Sequence, residues 1–256
     1  HAGVPSAHRA EGDRMKNPLI HPNITDAMRA TVAQKTAAAI DLLRQAAAEF
    51  QPIGFASSMG AEDMVLTDLI QRNALDIEIF TLDTGRLPAE TYDLMAKAEQ
   101  HYGARPVTFF PRHEAVEEYV RKHGINAFYD SVELRKACCA MRKVEPLKRA
   151  LAGKKAWITG MRAQQSATRS ALPAREFDEG HGIEKFNPLS DWTEREVWVY
   201  IHTHEVPYNE LHERFFPSIG CQPCTRAISP GEDIRAGRWW WENPESKECG
   251  LHVKAG

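Results

Sequence analysis

Between Ile53 and His123 the sequence states one pattern three times: a short apolar run, a turn, and a stretch with helical spacing. Ile53-Gly54-Phe55-Ala56-Ser57-Ser58 runs into Met59-Gly60 and then a helical pattern over Ala61–Gln71. Ile77–Leu82 ends at Asp83-Thr84-Gly85 and leads to a helix over Pro88–Tyr102, with proline in the first turn, where its missing N–H costs nothing. Val107–Phe110 precedes a helix over Glu114–His123, and a later strand, Ala156–Thr159, stops at Gly160. Such alternation predicts an α/β fold: a parallel twisted sheet with helices on both faces and its ligand edge at the carboxyl ends of the strands. A helix over Thr25–Phe50, stopped by Gln51-Pro52, precedes the first unit. Thr193 and Glu196 form a capping box for a helix reaching His204. Beyond Pro207 the pattern turns irregular and contains the run Trp239-Trp240-Trp241.

Net charge is −3 with a pI of about 6.4, so no general basic field draws nucleic acid or an anionic membrane. An anionic ligand must therefore be gripped by locally placed arginine and lysine. The apolar runs fall far short of the ~20 residues that cross a bilayer. Residues 1–24 are expected to be a disordered leader or expression remnant, with Met15 a candidate natural start, and they carry no signal-peptide pattern. The expected compartment is the reducing cytoplasm, where cysteines bind metals or react more often than they cross-link. Residues 25–230 are expected to form one α/β domain, and 231–256 a tail belonging to it.

There are five cysteines, a number that cannot be fully paired internally. Cys221-Gln222-Pro223-Cys224 is a C-x-x-C loop, and Cys138-Cys139 lies far upstream beside Lys136, Arg142 and Lys143. A tetrathiolate zinc site normally uses two spaced knuckles, which adjacent cysteines fit poorly. A redox C-x-x-C would leave Cys138-Cys139 without a role. A four-cysteine iron–sulfur cluster uses all four and tolerates irregular spacing. Lys143 is placed to counter the negative charge of such a site. Cys249 stands apart in Lys247-Glu248-Cys249-Gly250-Leu251-His252, with Lys247 and His252 near enough to favour the thiolate. A thiolate on a tail can reach a bound substrate and then meet a reductant, as two-step covalent redox chemistry requires.

Ser57-Ser58-Met59-Gly60-Ala61-Glu62-Asp63 joins a strand to a helix, where free N–H groups and the helix dipole favour an anion. An ordinary serine-capped turn fits the same residues. The segment resembles the pyrophosphate loop of the adenine-nucleotide α-hydrolase-like superfamily. It lacks the second glycine and final serine of the ATP-splitting form, which suits a nucleotide bearing a smaller anion. Leu82-Asp83-Thr84-Gly85-Arg86 ends the second strand on the same edge.

Taken with Arg142-Lys143-x-Glu145-Pro146, Gln165–Ser170, Lys185–Leu189, Ile219–Arg226, Gly237–Glu242 and the Glu-Cys-Gly-Leu-His tail, these segments resemble the assimilatory adenylyl-sulfate reductases of the sulfonucleotide reductase family. The resemblance implies reduction of adenosine 5′-phosphosulfate to sulfite and AMP in sulfate assimilation and cysteine biosynthesis. Cys249 would carry an S-sulfocysteine intermediate, and a separate thioredoxin or glutaredoxin-like protein would release sulfite from it. One four-iron four-sulfur cluster is implied on Cys138, Cys139, Cys221 and Cys224, structural and electrostatic in role. Lys143 and His252 are implied beside Cys249 in catalysis. Ser57, Ser58, Gly60, Asp63, Leu82, Thr84, Gly85, Arg169, Arg235 and Arg238 are implied in substrate binding, with Arg162 and Arg86 in second rank. The 3′-phosphorylated nucleotide is the competing substrate, and a metal-stabilised nucleotide-binding or sulfur-transfer protein the competing class. Both cysteine pairs favour the substrate without the 3′-phosphate. Neither nucleic acid nor membrane is an expected partner, and a homo-oligomer stays open as an assembly.

Overall fold

The computed structural model of the chain describes residues 17–165, 172–248 and 250–252. A six-stranded sheet, in the order β3-β2-β1-β4-β6-β5, forms its centre. The strands are β1 Ile53–Ser57, β2 Glu78–Leu82, β3 Val107–Phe109, β4 Ala156–Ile158, β5 Arg175–Asp178 and β6 Ile183–Phe186. All neighbours pair parallel except β5, which returns antiparallel along β6. That edge hairpin escapes a search for apolar runs, because Arg175-Glu176-Phe177-Asp178 is mostly charged and Phe177 faces outward.

Among the described residues, seven α-helices accompany the sheet: α1 Asp26–Glu49, α2 Ala61–Arg72, α3 Ala89–Tyr102, α4 His113–His123, α5 Val132–Cys139, α6 Glu145–Leu151 and α7 Glu194–His204. Side chains of a strand alternate between faces. Phe55, Ile79, Ile158 and Phe186 accordingly join the core under α1, α2, α3 and α7, while Phe80 and Trp157 point the other way, onto Leu147, Ala150 and Leu151 of α6. Thr25 caps α1 by accepting from Met28 N, and the capping box on α7 forms as its sequence predicts. Three of the first layer's helices are tied by one buried carboxylate. Asp68 of α2 accepts from Tyr102 Oη of α3 at 2.9 Å, from Tyr200 Oη of α7 at 2.6 Å and from Arg72 Nε at 2.7 Å.

Residues 17–24, expected to belong to a disordered leader, are instead fastened to the domain. Asn17 Nδ2 donates to His212 O, Ile20 is buried in the main core, and His21 meets Glu213 at 2.8 Å. Among the described residues, no helix is long and apolar enough to cross a membrane.

Candidate active site

The chain leaves β1 for β2 and β3 on one side and returns to β4 on the other. At such a switch point the loops beyond the carboxyl ends diverge and leave a crevice. A cavity of about 290 Å³ opens there, lined by Ser57, Ser58, Gly60 and Asp63 at and beyond the end of β1, Leu82 and Thr84 at and beyond the end of β2, and Gly160 after β4. From α6's side and the C-terminal region come Lys143, Arg235, Arg238 and His252. Gly85 does not reach this wall. It adopts a left-handed φ of 75° in the turn behind Thr84, with its N–H donated to Asp83 Oδ1 at 2.8 Å. Arg169 and Cys249 lie outside the described residues.

The first loop satisfies much of its own polarity. Ser58 N and Oγ both donate to Asp63 Oδ2, at 2.6 and 2.7 Å, while Ser57 Oγ accepts from Met59 N at 3.2 Å. Burial pushes the Asp63 carboxyl up to about 6, with Glu62 adding to the rise and the Ser58 hydrogen bonds opposing it. Gly160 is required where it stands, since a Cβ there would overlap the Asp63 carboxylate.

The two second-rank arginines already have partners, Arg162 on the cavity wall and Arg86 beside the second pocket. Arg162 is buried and paired with Glu62 at 2.7 Å, so it fixes the cavity wall as a neutralised pair. Arg86 donates to Ile125 O and Asn126 Oδ1 and lies over the Phe128 ring, lining the neighbouring cysteine pocket.

That second pocket gathers Cys138, Cys139, Cys221 and Cys224 with Arg86, Arg135, Arg142, Lys143 and Arg238. Cys138 and Cys139 end α5, and a π-helical turn, Ala140–Val144, follows and carries Arg142 and Lys143. Single π turns inside helices recur at functional sites. Cys221 and Cys224 flank a 3₁₀ turn, where Cys224 N donates to Cys221 O at 3.0 Å. Burial, with Cys221 and Cys139 alongside, pushes the Cys224 thiol up to about 12. Thr84 Oγ1 lies 3.1 Å from Cys221 Sγ, and Arg142 Nη1 donates to Thr84 O at 2.6 Å. Lys143 and Arg238 line both pockets and so form the partition between them. A Cβ at Gly220 would overlap the Arg238 guanidinium, so glycine there lets the arginine lie in the partition.

The C-terminal segment contributes Glu248, Leu251 and His252 to the wall of the first cavity. These residues bracket position 249. The structure adds participants that the sequence did not single out. Trp157 of β4 stacks on His252, Lys185 of β6 meets His252 Nδ1 at 3.1 Å, and buried His212 faces the cavity with Nδ1 bonded to Phe216 O. Lys185 belongs to the Lys185–Leu189 segment, but its alternation on β6 becomes readable only once the hairpin is known.

Residues 52–227 match the phosphoadenosine phosphosulfate reductase domain. The chain is 61% identical over 222 residues to adenosine 5′-phosphosulfate reductase of Allochromatium vinosum, covering 87% of each, and 56% identical over 212 residues to that of Burkholderia cepacia, covering 83% and 85%. Among solved structures, it is similar to a phosphoadenylyl-sulfate reductase from Candida auris in a phosphate complex, at 28% identity and TM-score 0.65, covering 81% of this chain and 99% of that one. Yeast FAD synthetase in complex with FAD shares the fold at 13% identity and TM-score 0.56, covering 82% and 72%. With the domain match spanning most of its length and relatives this similar, the chain belongs to the phosphoadenosine phosphosulfate reductase domain family.

Proposed function

We propose that this protein is a cytoplasmic oxidoreductase that reduces adenosine 5′-phosphosulfate to sulfite and AMP at the β1/β4 cavity. The observation that carries this reading is the partition. Lys143 and Arg238 stand between a mononucleotide-sized cavity and four gathered thiols, while tail residues on both sides of Cys249 line the cavity. The curated relatives carrying that activity in their names support the substrate without the 3′-phosphate.

In this reading the Cys249 thiolate attacks the sulfur of the phosphosulfate. The new S–S bond forms as the S–O bond to phosphate breaks, and AMP departs with the electron pair. Lys143, Arg235, Arg238 and His252, with Arg169, meet the charge that develops on the leaving phosphate. Cations already in place need no reorganisation during the step. A thioredoxin or glutaredoxin-like thiolate then attacks Cys249 Sγ and expels sulfite. Its second thiol resolves the mixed disulfide, so the dithiol supplies both electrons and is left oxidised.

The four thiols of the second pocket fit a multi-iron group better than one ion. A single zinc needs its ligands within about 2.3 Å of one point. All four thiols line one pocket, and the adjacent pair Cys138-Cys139 fits the spaced knuckles of a zinc site poorly. Cys138, Cys139, Cys221 and Cys224 would hold one four-iron four-sulfur cluster. When bound, it supplies a fixed buried charge beside Lys143 and Arg238.

Mass spectrometry of the enzyme mixed with adenosine 5′-phosphosulfate, without reductant, tests the reading. A sulfonate adduct confined to the Cys249 peptide, absent in Cys249→Ser, is expected. An unmodified Cys249, or undiminished sulfite release by Cys249→Ser, would overturn it.

A further inference from the structure

Arg135 sits on α5 one turn before Cys138 and Cys139 and is fully buried. Its donors are spent on the C-terminal segment. Nε and Nη2 donate to the Glu242 carboxylate at 2.8 and 2.7 Å; Nη2 also donates to Ser246 O, and Nη1 to Glu248 O, each at 2.5 Å. Glu242 is itself buried at the side chain, and the guanidinium lies 4.7 Å from the Trp239 ring centre. The same group meets the Cys139 thiol. Glu248 is the residue immediately before Cys249.

Among the described residues, the segment Glu242–Glu248 makes its other hydrogen bonds locally, such as Ser246 Oγ to Glu242 and to Asn243 O, and Glu248 N to Ser246 O. Its one regular feature is the short 3₁₀ turn Pro244–Ser246, and Asn243, Pro244 and Glu245 are exposed. Backbone that buries no apolar side chains stays in place only through its hydrogen bonds. Here two of those bonds come from one side chain rooted in the cysteine-bearing helix. A guanidinium offers five N–H donors in a rigid fork, so it can bridge a carboxylate and two carbonyls at once; an ammonium cannot hold all three in this geometry.

We propose that Arg135 is the positioning residue for Cys249: it fastens the backbone of Ser246 and Glu248 to α5, so that the thiol is presented to the nucleotide cavity only while the helix carrying Cys138 and Cys139 is in place. The proposal rests on the reading of Cys249 as the nucleophile. It links the two halves of the site physically, because a disturbance of the cysteine pocket reaches the tail through one guanidinium rather than through the substrate.

The test uses the complete protein, reconstituted with iron and sulfide, and two variants. Arg135→Leu/Glu242→Leu removes both charges of the buried pair and leaves none unmatched. Arg135→Lys keeps a charge but loses the fork. Three quantities are compared with the unsubstituted protein: the iodoacetamide alkylation rate of the Cys249 peptide without substrate, the single-turnover rate of S-sulfonate formation, and AMP affinity. Releasing the tail is expected to change the alkylation rate and to slow sulfonation by about tenfold or more, with AMP affinity within about twofold, since misplacing a reacting group costs rate rather than nucleotide binding. A folded variant that alkylates and sulfonates Cys249 at the unsubstituted rates would overturn the proposal, even if its Tm falls, because lowered stability alone is what a purely structural Arg135 would give. If the double variant does not fold, Arg135→Lys carries the same readouts. If the unsubstituted protein forms no adduct on Cys249, the proposed function fails, while the alkylation comparison still decides whether Arg135 holds the tail.

Discussion

Lys185 Nζ lies 3.1 Å from His252 Nδ1, and both rest on Trp157, whose indole stacks with the imidazole at 5.5 Å and lies 5.2 Å from the ammonium. An ammonium can only donate, so Nδ1 accepts and the ring proton sits on Nε2. Trp157 is fixed in turn, its Nε1 donating to Asp178 Oδ2 at 3.0 Å. β4 and β6 therefore provide a seat for the end of the tail and set which nitrogen of His252 is a donor.

Removing that seat's charge has a direct consequence. Lys185→Met is expected to lower kcat/KM for adenosine 5′-phosphosulfate by about ten- to a hundredfold, the effect of one charge-assisted hydrogen bond lost during charge development. Lys185→Arg, which can still donate to Nδ1, is expected to recover part of the loss. Steady-state kinetics at equal measured iron content decide it: equal kcat/KM for Lys185→Met and the unsubstituted protein would refute the role.

Gly160 and Asp63 touch so closely that no side chain fits between them. Gly160→Ala must displace either the end of β4 or the Asp63 carboxylate with its two Ser58 bonds. AMP affinity measured by calorimetry is expected to fall more than about tenfold, consistent with the cost of forcing atoms into a packed site. Circular dichroism should stay unchanged, since the strand and helix remain intact.

Asp68 has no exposed surface at its side chain and holds Tyr102, Tyr200 and Arg72 together. In Asp68→Asn the negative charge opposite Arg72 is lost, and the amide NH₂ fits only if Tyr102 Oη turns from donor to acceptor. A loss of about 2–4 kcal/mol in urea unfolding is expected, the range for breaking a buried network by removing one partner. A loss below about 0.5 kcal/mol would show that the three helices do not depend on it.

The first two strand–helix units were readable because β1 and β2 are largely buried and so are near-continuous apolar runs ended by turn residues, while β3, an exposed edge strand, was readable from its short β-branched and aromatic run. The antiparallel β5 was not, since an exposed charged edge carries no such run. Local pattern also assigns arginines to the surface. Arg135 and Arg162 depart from that rule because their partners, Glu242 and Glu62, are 107 and 100 residues away and meet them only in the folded sheet. The loops of the cavity could be found by motif. The seat of the tail on Trp157 and Lys185 could not, because it is made of one residue from each of two strands whose adjacency the sequence leaves open.

The Asp63 carboxyl, pushed up to about 6 from an ordinary 3.8 chiefly by burial, sets the sign of a pH dependence. Between those two values the folded protein binds a proton that the unfolded chain has released. Stability must therefore fall as pH rises through that window and level off above about 6. Two pKa units correspond to about 2.7 kcal/mol at 1.36 kcal/mol each. Asp63→Asn removes the titrating group, so the difference in unfolding free energy between variant and unsubstituted protein should shift in the variant's favour from pH 4 to pH 6. Urea unfolding of both proteins at half-unit intervals from pH 4 to pH 7.5 measures it. A difference that is flat across that range would mean that Ser58 N–H and Oγ hold the carboxylate ionised despite its burial.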